Sequence, residues 1–172
     1  VADKIPAGGN VLTLCEGEGR NGVYLAGLGF RVLAVDGSAV GLEHARELAA
    51  ERGVVIETVV SDLAEYEIEP EAWDAVVMIF GHLPVELRRR VNESIVKGLK
   101  PGGIFILEGY TPRQLAYETG GPKDINMLYE PEVVKAELSG LEFEIAREVE
   151  REIIEGPGHN GKGAVFQFLG RK

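Results

Sequence analysis

The residues best suited to chemistry cluster near the start of the chain. Gly17-Glu18-Gly19-Arg20-Asn21-Gly22 reads GxGxxG between an apolar stretch, Val11–Leu14, and a helical pattern, and Asp36 follows 20 residues after Glu16 at the end of a second apolar run. A glycine turn of this kind lets a ligand approach the backbone closely, and an acid at the tip of the next strand can accept both hydroxyls of a ribose. The spacing alone does not choose between nucleotides, because dinucleotide sites share it. The flanking charges help. Gly17 stands between Glu16 and Glu18, so a pyrophosphate on this turn would meet two carboxylates, each repelling it by roughly 1 to 4 kcal/mol. A positively charged, phosphate-free nucleoside suffers no such penalty.

Further candidates sit where strands end, since ligands of open α/β sheets bind beyond the carboxyl ends of parallel strands. The third apolar run ends at Ser61-Asp62-Leu63, the fourth delivers Gly81 and His82, and the fifth Glu108 and Tyr110. His82 is the first choice for a general base, because imidazole titrates near neutral pH and the fourth strand ends beside the expected reacting group. A capping or backbone-bonded histidine ahead of Leu83-Pro84 is the competing reading. His159 and Tyr110 are further candidates for lining the pocket, and His44 belongs to a surface helix. Cys15 is the single cysteine, which excludes an intramolecular disulfide. It reads as a small packing residue, and with no CxxC and no histidine pair at ligand spacing no metal site is expected.

The elements that must position these groups alternate. Arg31–Val35 is a buried strand, Ser38 is placed to cap a helix that runs to Arg52 with Gly53 as its stop, and Val54–Val60 and Ala75–Phe80 read as central strands. Leu83, Leu87, Val91, Ile95 and Leu99 recur every four residues up to Lys100-Pro101-Gly102-Gly103, before a fifth strand at Ile104–Leu107. Such alternation predicts a doubly wound, mostly parallel sheet with helices on both faces. Tyr110–Glu130 is the least regular stretch and a candidate lid, followed by a helix from about Pro131 to Gly140. Leu141–Ile153 and Ala164–Leu169 are joined too closely for a crossover helix, which forces antiparallel pairing.

The 172 residues suit one domain that buries roughly 70% of its unfolded surface. Eighteen Lys and Arg against 28 Asp and Glu leave a net charge of −10, a field that repels phosphate backbones and argues against nucleic acid as a partner. The run Arg88-Arg89-Arg90 reads as a solvated helix face rather than a basic patch. No apolar run approaches the ~20 residues that span a bilayer, and the first residues lack the regions of a signal peptide, so no membrane association and a reducing, cytoplasmic setting are expected.

In this order the motifs resemble those of the class I S-adenosylmethionine-dependent methyltransferases, and specifically the tellurite-resistance and thiol methyltransferase-like group. Val11–Asn21 looks like the family's glycine motif, Val35-Asp36 like its ribose acid, and Ser61-Asp62-Leu63 like its adenine-contacting segment. Trp73–His82 resembles the fourth-strand motif and Leu99–Gly103 the turn before strand five. Two positions depart from the pattern: Thr13 stands in the usual place of an acid and Cys15 in that of the first glycine. Glu16 is expected to replace part of the lost acidity toward the cofactor ammonium. The resemblance implies S-adenosylmethionine as cofactor, contacted by Glu16, Gly17, Glu18, Gly19, Asn21, Asp36, Gly37, Asp62, Leu63 and Ile79. It further implies seven strands in the order 3-2-1-4-5-7-6, the last antiparallel, and in-line methyl transfer to a small acceptor such as a thiol or a chalcogen oxyanion, with His82 as the base. Family members usually carry an additional N-terminal segment over the cofactor, expected here to be missing or trimmed. A non-catalytic cofactor-binding domain and an NAD-dependent oxidoreductase are the alternative readings. The acceptor's identity and the oligomeric state do not follow from the sequence.

Overall fold

A computed structural model describes residues 1–117, 119–154 and 160–172, with the backbone alone for Asn160. Five strands run parallel: β1 Asn10–Leu14, β2 Arg31–Asp36, β3 Glu57–Val60, β4 Trp73–Ile79 and β5 Leu99–Tyr110. β6 Glu142–Ile154 and β7 Asn160–Arg171 form a long hairpin, and β7 pairs antiparallel with β5. Together they make one sheet in the order β3-β2-β1-β4-β5-β7-β6, the order that the family resemblance implies.

Strands buried on both faces read as continuous apolar runs, and β1 and β4 do so because helices cover both sides. On one side Val23 and Leu25 of α1 Arg20–Gly27 and Leu42, Ala45 and Ala49 of α2 Ala39–Glu51 pack on Val11, Ala75 and Val77. On the other, Val91 and Ile95 of α3 Val85–Gly98 and Val134 and Leu138 of α4 Pro131–Glu137 pack on Leu12, Leu14, Val76 and Met78. The predicted cap is in place, with the Ser38 hydroxyl accepting from Gly41 N–H at 3.0 Å.

Two features differ from expectation. β3 starts at Glu57 rather than Val54, because Val54 N–H is taken by the Ala49 carbonyl at 3.0 Å in the turn that closes α2 around Gly53. Arg88 is not on a solvated face: it is 2% exposed and bonded to Glu137, while Arg89 and Arg90 do face solvent. The irregular stretch after β5 holds two short 3-10 turns, Pro112–Ala116 and Ile125–Met127, and is anchored by buried Thr111, Gln114, Leu128 and Tyr129.

Candidate active site

The glycine turn is built on backbone shapes that side chains rarely adopt. Gly17 and Gly19 have φ of +61° and +88°, and Cys15, at +54°, adopts the left-handed region without being glycine, at a cost of roughly 1 to 2 kcal/mol. Gly19 is fixed by packing, since a Cβ there would stand 2.6 Å from that of Ala45 on α2. Gly17 is different. Nothing lies within 4 Å of where its Cβ would be, so the outer side of the turn is open to a ligand.

Glu16 and Glu18, alike in sequence, part ways here. Glu18 is exposed, 3.7 Å from an exposed His44. Glu16 is 8% exposed and its Oε1 accepts from Gly22 N–H in the first turn of α1 at 2.7 Å. Burial pushes its carboxyl above the ordinary range, against hydrogen bonds from Gly22, Thr13 and Asn21 that hold it down. Its carboxylate therefore caps α1 beneath the turn.

Asp36 closes the turn from the neighbouring strand. Its Oδ2 accepts from Gly17 N–H at 2.9 Å and its Oδ1 from Ser38 N–H at 2.7 Å. Each oxygen keeps a second lone pair. The Asp36 carbonyl accepts from Ser61 N–H, and Asp62 Oδ1 from Ala64 N–H at 2.8 Å. Beyond the ends of β1, β2 and β3 these residues border a cleft of about 380 Å³, lined by Cys15, Asp36, Gly37, Ser61, Asp62, Leu63 and Leu83. Burial and the nearby Asp36 push the Cys15 thiol up to about 12.

Asn21 and Ile79 fall on a second cleft, of about 390 Å³, over β5, β7 and β6. Its floor is Ile79, Ile106, Ile145 and Leu169. On the same face Glu108 accepts from Arg151 and, at 2.7 Å, from Gln167 Nε2, while Gln167 Oε1 accepts from Arg147 Nε at 3.0 Å. A wider groove of about 550 Å³ between α1 and α2, with Tyr24, Leu28 and Arg52 on its walls, includes no strand end.

His82 follows β4 as expected, but both ring nitrogens meet backbone. Nε2 accepts from Tyr110 N–H at 3.2 Å, so the proton sits on Nδ1 and is donated to the Met127 carbonyl at 2.9 Å. The ring lies 5.5 Å from that of Tyr110 and nearly parallel to it. Buried Tyr129 donates its hydroxyl to the Gly81 carbonyl and fastens the same junction. His159 lies outside the described residues.

The structure thus brings Asp36, Gly37, Asp62 and Leu63 together at one cleft under the open face of Gly17, places Asn21 and Ile79 at the next, and turns Glu16 inward. The sequence reading named Glu108 but missed Arg147, Arg151 and Gln167. The available signal was the spacing of 147 and 151, which puts both on one face of a strand; their meeting with Glu108 depends on strand pairing. Among the described residues no group of three or more His, Cys, Asp or Glu is arranged to hold a metal, and no helix is long and apolar enough to cross a membrane.

Comparison with known proteins gives a consistent picture. A family model described as a methyltransferase domain matches residues 11–103. A 2-heptyl-1-hydroxyquinolin-4(1H)-one methyltransferase of Mycobacteroides abscessus is 28% identical over 128 residues, 73% of this chain and 55% of its own. A demethylmenaquinone methyltransferase of Clavibacter sepedonicus is 36% identical over 107 residues, 62% of this chain and 43% of its own. The chain therefore spans about half the length of these curated relatives. TehB from Haemophilus influenzae superposes with a TM-score of 0.81 at 22% identity, covering 99% of this chain and 60% of that one. An S-adenosylmethionine-dependent methyltransferase from Methanosarcina mazei gives 0.77 at 18% identity, covering 99% and 95%. At such identities the structural likeness establishes the fold.

Proposed function

Since the family match covers more than half of its length, this chain belongs to the methyltransferase-domain family, and we propose that it transfers a methyl group from S-adenosylmethionine to a small organic acceptor. The observation that carries this is the clasp of Asp36 on Gly17 N–H beneath an open glycine turn at the strand ends. The residues fit the cofactor. The free lone pairs of Asp36 would hold the ribose hydroxyls, and Asp62 and Leu63 would border the base. Gly17 leaves room for the backbone to approach the amino-acid end. Asp36, Glu18 and Asp62 together repel a diphosphate, which disfavours NAD. Bound there, S-adenosylmethionine supplies a methyl group made electrophilic by its sulfonium.

What the protein adds is alignment and exclusion of water. His82 acts in this reading as a positioning residue, its Nε2 lone pair committed to Tyr110 N–H and its Nδ1 proton to Met127. It ties the segment after β5 to the end of β4. Among the described residues the site offers no uncommitted histidine, an arrangement that suits an acceptor that is already anionic. The acceptors named for the two curated relatives, a hydroxyquinolone and demethylmenaquinone, are flat conjugated rings bearing oxygen. They favour that class here over thiols and chalcogen oxyanions, which belong in the comparison panel.

Titration calorimetry with S-adenosylhomocysteine tests the reading directly. Micromolar binding is expected, weakened by about 1 to 3 kcal/mol in Asp36→Ala. A protein that binds no S-adenosylhomocysteine would remove the proposal, and one that binds it but transfers labelled methyl to none of the panel would favour a non-catalytic domain.

A further inference from the structure

We propose that Tyr129 is a positioning residue for the cofactor's nucleoside, acting through the Gly81-His82-Leu83 turn that walls the cleft at Asp36 and Asp62; this deepens the methyl-transfer reading and rests on it. The turn follows β4, and each of its residues has a different task. Leu83 lines the cleft together with Cys15. Gly81 lies against Cys15, so closely that a Cβ on it would stand 2.9 Å from the Cys15 Sγ. His82 is bonded through one ring nitrogen to Tyr110 N–H and through the other to the Met127 carbonyl.

The wall is held by a segment that lines no part of the cleft, residues 125–129. Tyr129 is fully buried and its hydroxyl donates to the Gly81 carbonyl. Its ring fills a space over β5 that exists because Gly109 has no side chain, since a Cβ there would overlap it. The Tyr129 amide donates to the Tyr110 carbonyl at 2.8 Å, and the Leu128 carbonyl accepts from buried Arg88 at 3.4 Å. Burial pushes the phenol above the ordinary tyrosine range, so it stays a donor throughout the working pH range. Ring and hydroxyl are thus fixed with Gly81 as the group they reach.

A buried phenol satisfied by a carbonyl is by itself ordinary packing. The strain beside it says more. Cys15 and Phe80, at the ends of the paired strands β1 and β4, both take left-handed backbone angles, φ +54° each, although neither is glycine. Such conformations are costly and persist only where their neighbours over-determine them. Phe80 N–H is held by the Glu108 carbonyl at 2.7 Å, and the next residue, Gly81, by Tyr129. Without the Tyr129 hydroxyl the turn can relax, and Leu83 and the Gly81 contact to Cys15 move with it. A ligand then binds only the fraction of molecules whose wall is in place, and its apparent dissociation constant rises in proportion.

Titration calorimetry with S-adenosylhomocysteine compares the wild type with Tyr129→Phe, which loses the hydroxyl and keeps the ring, at a temperature where both are fully folded. The variant is expected to bind about three- to tenfold more weakly. Hydrogen exchange supplies the reciprocal measurement, because coupling between two places runs both ways. Saturating S-adenosylhomocysteine should slow exchange of the Tyr129 amide in the wild type more than that of the Leu138 amide on α4, which controls for global stabilisation, and the difference should vanish in Tyr129→Phe. A tyrosine that only fills the core would lower the urea midpoint and move neither quantity. Unchanged affinity in folded Tyr129→Phe, or a wild-type Tyr129 amide slowed no more than Leu138, overturns the inference while leaving methyl transfer intact. Should the variant not fold, the wild-type exchange result decides alone. Failure of the wild type to bind S-adenosylhomocysteine at all overturns the function and this inference with it.

Discussion

A carboxylate beside a glycine turn can face a ligand or face the protein, and for Glu16 burial and the amide of Gly22 decide in favour of the protein. Spacing could place it on the turn but not choose its rotamer, because the pull toward α1 comes from a helix end formed only after folding. Asp36 and Ser38 were legible for the opposite reason: both act on amides within a few residues or on the adjacent strand. Burial holds the Glu16 carboxyl above the ordinary range, so the native state binds that proton more tightly than the unfolded chain does. The linked stability is full below the unfolded value of about 4.3 and is lost as pH rises through the higher folded one. Glu16→Gln keeps an acceptor for Gly22 and should therefore gain on the wild type as pH rises above the unfolded value of about 4.3 in urea titrations, while Glu16→Ala should lose about 1 to 2 kcal/mol with the cap. Cys15 gives a second prediction. With its thiol pushed up to about 12, alkylation by iodoacetamide at pH 8 should run at least ~100-fold slower in native than in urea-unfolded protein; equal rates would refute the burial assigned to it.

At the scale of elements, α3 and α4 are joined by charge as well as by apolar packing. Arg88 and Glu137 meet at 2.9 Å with side chains 3% and 8% exposed, Asn92 donates to the same carboxylate, and the guanidinium stands 5.9 Å over the Tyr129 ring. Removing one partner leaves a lone buried charge, so Arg88→Met or Glu137→Leu alone should cost about 3 to 5 kcal/mol, and the double variant far less than the sum. Urea unfolding of the four proteins in a cycle measures the coupling; strict additivity would deny it. The helical period did hold a hint of this, since Arg88, Asn92 and Ile95 share a face three to four residues apart. It could not supply the partner 49 residues away. Strand ends behaved likewise: the β6–β7 pairing was readable from a short connection, whereas the late start of β3 depended on how α2 closes.

Across the whole molecule, the parallel sheet and its antiparallel end were legible because alternation and connection length constrain them, the strand order came with the family resemblance, and the cleft at Asp36 and Asp62 followed because strand ends in such a sheet gather on one side. The cleft over β5, β7 and β6 was not, since it is assembled by strand register. This division sets a test of the electrostatic reading for the protein as a unit. A ligand that spans the ends of β1, β2 and β3 binds the native state alone. At 100 times its dissociation constant it adds about 2.7 kcal/mol, which in a domain of this size raises the melting temperature by roughly 5 to 10 °C. S-adenosylhomocysteine should give that shift, and Asp36→Ala should shrink it at the same concentration. NAD, bringing two phosphates to a cleft bordered by Asp36 and Asp62, should give none. Because both ligands carry an adenosine, shape and stacking nearly cancel in the comparison and the charge of the linker decides. An equal shift from NAD would mean that the acids around Gly17 do not govern what the turn accepts.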